Sequence, residues 1–327
     1  MYVPSRGSSD RPRLQGSWIA TAAAITLAND KRVRSVTFLV DQDPGAAEVF
    51  AVDRKAPFML PRRGRGATPY AIGPHTLRTD VELRTGKHLR LKVAYTVARI
   101  LLVPATVDAE SLERSIAAVP QGELLVRPAD GETSFTVTGE MHLDRELVTI
   151  ERAHMSGGIE FEPGASGSRL VGSSALGFNI FGADNVVVSG NSFDGRGVDS
   201  QNIIWDQPAG NTPDGWRVVG NTFQNFYIDD GDTHSEALFI GYSTRGLIER
   251  NTFTNNGNTA HIFFSWWGGT ADPRTSYPRD ICVRGNTFNQ THDATSDVNF
   301  RDEIPATAHI AIQRDASNTN ETFYGSC

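Results

Sequence analysis

Trp216-Arg-Val-Val-Gly-Asn221-Thr-Phe223 is one of four versions of a single phrase. The others are Val186-Val-Val-Ser-Gly-Asn191-Ser-Phe193, Gly246-Leu-Ile-Glu-Arg-Asn251-Thr-Phe253 and Ile281-Cys-Val-Arg-Gly-Asn286-Thr-Phe288. Their asparagines are 30, 30 and 35 residues apart. A phrase that returns at such a period is an internal repeat, and repeats of this length build stacked units. A β-branched residue stands three before each Asn (Val188, Val218, Ile248, Val283) and a Phe two after it. The alternation before the Asn is that of a strand with one buried face. Asn accepts a left-handed backbone cheaply and suits a sharp bend between strands. Coil on coil, the Asn side chains would form a ladder and the Phe rings an inner stack.

Outside these phrases, loop excess flanks one strand per coil. The strands at Asn202–Gln207, Ala237–Ser243, Ala260–Trp267 and His309–Gln313 are expected to lie side by side, with expanded segments around 208–214, 224–236, 268–279 and 289–308. Long loops around one face of a rigid scaffold make a cleft. Before the repeats, Asp108 to Ala118 has helical spacing, with Leu112, Ile116 and Ala117 on one face and acids in its first turn. Such a helix would cover the open edge of the first coil.

This pattern resembles the right-handed parallel β-helix of the pectate-lyase-like superfamily, over roughly residues 104–315. Roughly residues 15–98 resemble a bacterial immunoglobulin-like module in Ser35-Val-Thr-Phe-Leu-Val-Asp41, Ala56-Pro-Phe58, Gly73-Pro-His-Thr-Leu77 and Tyr95-Thr-Val97. The fold expected is therefore all-β: a disordered tail over 1–14, an N-terminal β-sandwich over 15–103, and a parallel β-helix with a capping helix over 104–327.

The charge divides with the domains. Residues 1–103 hold 17 Lys+Arg against 8 Asp+Glu, and residues 104–327 hold 14 against 30. An acidic solenoid excludes nucleic acid as a partner and makes a polyanionic sugar awkward unless a cation intervenes. No apolar run is long enough to span a membrane, and the apolar stretch from Trp18 to Ala28 reads as a strand rather than a signal segment. Cys282 and Cys327 are the only cysteines, and a disulfide between them would suit an exported protein.

The densest chemical cluster is Asp229-Asp-Gly-Asp-Thr-His-Ser-Glu236. In an extended chain Asp230, Asp232, His234 and Glu236 share one side, and carboxylates two apart are about 6.6 Å apart. That spacing suits an acid and a base holding a water, with Glu236 or Asp232 as acid or base and His234 orienting one of them. The same carboxylates, Asp229, Asp230 and Asp232, are of the kind that binds Ca²⁺; an acidic loop in solvent is the third reading. Asp206 in the preceding coil and an outward His261 in the following one would border the cluster. Trp205, Trp266 and Trp267 would stack sugar rings, and Arg245 would meet the substrate. Residues 104–327 contain no Lys, although β-helix lyases resemble one another in using Lys or Arg against a uronate. Asp229-Asp230 resembles the paired aspartates of polygalacturonase-like hydrolases, whose Asn-Thr-Asp and Gly-His-Gly companions are absent here.

The function expected from the resemblance and this cluster is a secreted, monomeric enzyme cleaving a polysaccharide by acid/base hydrolysis without a required cofactor. A Ca²⁺-assisted lyase and a non-catalytic polysaccharide-binding or adhesin-like protein are the alternatives.

Overall fold

The computed structural model describes residues 13–19, 33–43, 46–53, 73–197, 202–206, 211–227, 235–256, 260–265, 277–291, 296–300 and 308–312. The stretch 1–12 and Cys327 lie outside them. The chain forms two compact units, one of Leu14–Ile100 with Gly122–Leu125, the other of the remaining residues.

In the first unit, Val33–Asp43 pairs antiparallel with Ala46–Asp53 on one side and Gly73–Leu83 on the other. Gly73–Leu83 in turn pairs antiparallel with His88–Val103, which Arg13–Ile19 also joins. Among the described residues the strands from Val33 to Val103 pair antiparallel in a single layer. The second sheet of the expected sandwich is not among them, and the immunoglobulin-like identity gains no support.

The second unit is a parallel β-helix of three sheets. The first sheet's register runs Ile150, Leu170, Val188, Val218, Ile248, Val283, Ile312, each opposite the next. All are buried, so the β-branched position of the repeat is the inward column of this sheet. In the second sheet Phe193, Phe223, Phe253 and Phe288 are aligned, with ring centroids 5.2, 4.9 and 5.2 Å apart and nearly parallel planes. A chain that returns every 30 residues to the same corner places identical side chains one strand spacing apart, about 4.8 Å, which is ring-stacking distance.

Between these two sheets runs the asparagine ladder. Asn191 donates Nδ2 to Asn221 Oδ1, Asn221 to Asn251, and Asn251 to Asn286, each at 3.0 Å. Each Oδ1 also accepts the backbone N–H of the Asn one coil earlier, at 2.8–2.9 Å. Each Nδ2 also donates to a first-sheet carbonyl: Leu170, Val188, Val218 or Ile248. The left-handed residue at this corner is the one before the Asn, at φ 66, 66, 56 and 60 for Gly190, Gly220, Arg250 and Gly285. The Asn is therefore chosen for its amide, and the preceding residue carries the bend. Gly246 opens the third phrase because a Cβ there would lie 2.1 Å from the buried Trp216 ring.

The helix forms over Ala109–Ala117, with Asp108 as N-cap accepting the Ser111 N–H at 2.8 Å. It buries Ala109, Leu112 and Ile116, while Ala117 is exposed. The buried Arg145 donates to Ile116 O in its last turn and to Pro120 O just beyond it, at 2.7 Å each. This satisfies both a buried cation and an open helix end.

The third sheet holds Met141–Leu143, Ile159–Phe161, Phe178–Phe181, Asn202–Trp205, Glu236–Ile240, Ala260–Phe264 and Ser296–Phe300. Three of its strands are those expected to share a face. The fourth expected member, at His309–Gln313, belongs elsewhere: Ile310–Ile312 pairs with Ile281–Arg284 in the first sheet. Its place is taken by Ser296–Phe300, inside a stretch read as loop. Ile310 and Ile312 repeat the inward alternation of Ile281 and Val283, which fixes them to that column.

Candidate functional site

Alternation in the third sheet turns two rows of side chains outward. One row reads His142, Glu160, Asn179, Ile203, Phe239, Phe263, each opposite the next. The second row has Phe181 opposite Trp205, with Glu162 one coil before Phe181 by the same register. Phe181 and Trp205 stack at 6.0 Å and 28°, Trp205 meets Phe239 edge-on at 6.0 Å, and Phe239 lies 5.9 Å from Phe263. Four aromatic rings thus line one outer face. Phe181 and Trp205 are half-buried, whereas Phe239 and Phe263 are only 7% and 8% exposed.

The earlier coils place a polar group on the same face. His142 Nδ1 lies 3.0 Å from Glu160 Oε2 and 3.5 Å from Glu162 Oε1. Glu160 Oε1 accepts Asn179 Nδ2 at 3.0 Å, and Asn179 Oδ1 accepts the Ile203 N–H at 3.1 Å. The Ile203 amide thereby fixes which way Asn179 points, and Asn179 fixes Glu160. The His142 backbone N–H donates to Glu113 of the capping helix at 2.6 Å. His142, Glu160 and Glu162 offer three ligand atoms within 4.8 Å of one another, a donor set of the type that can hold a divalent cation. Glu160 and Glu162 are half-buried and His142 is exposed, so this group is open to a ligand. It went unread in the sequence because the early coils lack the Asn phrase. Its signal was a period of 18 and 19 residues linking Met141, Ile159 and Phe178.

Of the residues singled out in the sequence, Trp205 stands on this face. Glu236 begins its strand opposite Ala260, shares the inward parity of Leu238 and Ile240, and is 1% exposed. His261, expected to face outward, is instead fully buried. Its ring packs 5.9 Å from Phe253 and 5.5 Å from Phe288, at the end of the inner stack. Neither ring nitrogen has a hydrogen-bond partner among the described residues, and Nε2 lies 3.8 Å from Asp297 Oδ1, too far for one. Burial pushes His261 down from 6.5 to about 4, and burial pushes Asp297 up. Glu236 and His261 lie on neighbouring strands, His261 being next to the residue that pairs with Glu236.

Asp206 is not part of that group. It lies in line with Tyr242, roughly 20 Å along the strand direction from Glu236 at about 3.3 Å per residue. It is buried, its Oδ1 has no hydrogen-bond partner among the described residues, and burial raises its pKa. Arg245 sits at the left-handed corner leading into the first sheet, where its guanidinium is paired with Asp214, Nε to Oδ1 at 2.6 Å. Asp229, Asp230, Asp232, His234, Trp266 and Trp267 lie outside the described residues. Cys282 is half-buried on a first-sheet strand, and its expected partner Cys327 is not described.

Fold and site together define a parallel β-helix with an aromatic and acidic outer face. No family model and no curated protein matches the chain. Two solved structures are similar to part of it. A crystal structure of an alginate lyase from Paenibacillus sp. str. FPU-7 matches over 66% of this chain and 83% of that one, at 11% identity and a TM-score of 0.36. A crystal structure of the Dettilon tailspike protein matches over 65% of this chain and 48% of that one, at 12% identity and a TM-score of 0.37. Likeness at this level carries no argument, and the fold stated above rests on the strand register.

Proposed function

We propose that this protein is a secreted, monomeric enzyme that binds a polysaccharide along the outer face of the third sheet and cuts it within the chain by acid/base hydrolysis. The observation that carries the reading is the stacked pair Phe181 and Trp205 aligned with Glu162 in successive coils. A pyranose ring has an apolar face of C–H groups that packs on aromatic rings, and its hydroxyls need carboxylate and amide partners beside them. Coil stacking supplies both in one row.

The acid/base role first assigned to Glu236 and its neighbours passes to Glu160, Glu162 and His142. A general acid must reach the bond it cleaves, and Glu236 is buried while those three are open. The reading needs no cofactor. The N-terminal unit serves in it as an immunoglobulin-like appendage, and a Cys282–Cys327 disulfide fits export.

The test is a polysaccharide panel in which new reducing ends and the ultraviolet absorbance of unsaturated uronic acid are both followed. Reducing ends alone are expected. Absorbance that appears with them and vanishes on chelation would make the protein a Ca²⁺-assisted lyase; retained binding without cutting would make it an adhesin. Trp205→Ala should weaken binding about tenfold with the fold intact, because the ring is outside the core. No binding and no cutting of any polymer would end the proposal.

A further inference from the structure

We infer that the sugar bound at Glu160, Glu162, Phe181 and Trp205 carries no carboxylate or sulfate, so that the polymer is a neutral polysaccharide and not a polyuronate. The inference rests on the reading of this face as a polysaccharide site and concerns only which polymer it takes.

The charges of the face decide it. Glu162 stands directly before the stacked Phe181 and Trp205, and Glu160 stands beside Asn179 in the adjoining row. The seven strands of the sheet contain no Lys and no Arg. The arginine nearest in expectation, Arg245, is paired with Asp214 at a corner of the coil. The remaining polar partner, His142, directs Nδ1 to the two carboxylates, and Glu113 of the capping helix takes its backbone N–H. A uronate stacked on Trp205 would bring its carboxylate toward Glu162 with no Lys or Arg of the sheet's strands to meet it. A like charge at about 5 Å near a protein surface costs on the order of tenfold or more in affinity. A neutral hexose meets no such penalty. Ionised carboxylates only accept hydrogen bonds, and its hydroxyls have donors to give them. Asn179 is already committed on both sides, to Glu160 and to Ile203, so it has no spare donor pair with which to hold a carboxylate.

The experiment measures binding by calorimetry to neutral glucans, mannans and galactans and to alginate and polygalacturonate, with EDTA and again with Ca²⁺. At least one neutral polymer should bind at least about tenfold more tightly than either polyuronate in both conditions. The double variant Glu160→Gln/Glu162→Gln should narrow that gap by improving polyuronate binding. Preference for a polyuronate in EDTA overturns the inference, and so does a preference that appears only with Ca²⁺. An unchanged gap in a folded double variant also overturns it, because the carboxylates would not be the source of selectivity. Each of these three results leaves the polysaccharide reading standing, whereas failure to bind any polymer removes that reading itself.

Discussion

Replacing Asn221 by Ala tests the asparagine ladder at its centre. The side chain takes part in four hydrogen bonds: it donates to Val188 O at 2.9 Å and to Asn251 Oδ1 at 3.0 Å, and accepts the N–H and Nδ2 of Asn191 at 2.9 and 3.0 Å. The loss is uneven. Asn191 Nδ2 keeps its bond to Leu170 O, and Asn251 Oδ1 keeps the Asn221 N–H. The buried Asn191 N–H loses the acceptor it has in the ladder, and Val188 O loses a donor. Four bonds at about 1 kcal/mol net each, with one donor stranded away from water, give about 3–5 kcal/mol. Asn221→Asp separates bonding from volume. It fills the same space and keeps an acceptor for Asn191, but sets an oxygen against Val188 O and Asn251 Oδ1. At neutral pH it should be at least as unstable as the alanine variant. Urea unfolding followed by tryptophan fluorescence reads the effect as a lower midpoint at unchanged slope. The exposed Asn289, whose Nδ2 reaches Thr254 Oγ1 only at 3.4 Å, is the control, and Asn289→Ala should cost under about 1 kcal/mol. A loss below about 1 kcal/mol for both Asn221 variants would refute the ladder as a source of stability.

Two further outcomes follow from the core. Phe253 lies between Phe223 and Phe288 at 4.9 and 5.2 Å and is fully buried, so Phe253→Ala should cost about 3–5 kcal/mol; a loss under about 1.5 kcal/mol by the same unfolding assay would contradict the stack. His261 is lowered from 6.5 to about 4 by burial, so between those values the unfolded chain binds more protons than the folded one. Its contribution should therefore fall as pH drops through that window, by about 3 kcal/mol in all, and be lost completely below about pH 4. Asp297 beside it is raised by burial and works in the opposite sense, so the measurement is the difference between wild type and His261→Phe across pH 4 to 7. Parallel curves would show that His261 does not titrate differently on folding.

The sequence by itself determined the inner columns of the later coils. A 30-residue return of β-branched residue, Asn and Phe can bury one face of each strand only if the coils stack, and the structure places Val188, Val218, Ile248 and Val283 in one such column. Inward positions are legible because burial restricts residue type at a fixed period. The helix was legible for the same reason, since Leu112 and Ile116 return at helical spacing and both are buried.

Beyond Trp205 and the three strands read as neighbours, the outer face was decided by the tertiary structure. Outward positions carry no compositional rule, and their neighbours come from coils 18 to 36 residues away whose lengths vary with the loops. Nothing local links His142 to Glu160 or Phe181 to Trp205; the register does. The burial of His261 has the same origin. Strand alternation alone places it outside, but the ring is fully buried and meets Phe253 and Phe288. Whether Asp206 neighbours Glu236 was likewise a matter of register. A strand pairs residue by residue, and six positions along it separate groups that are one coil apart in stacking.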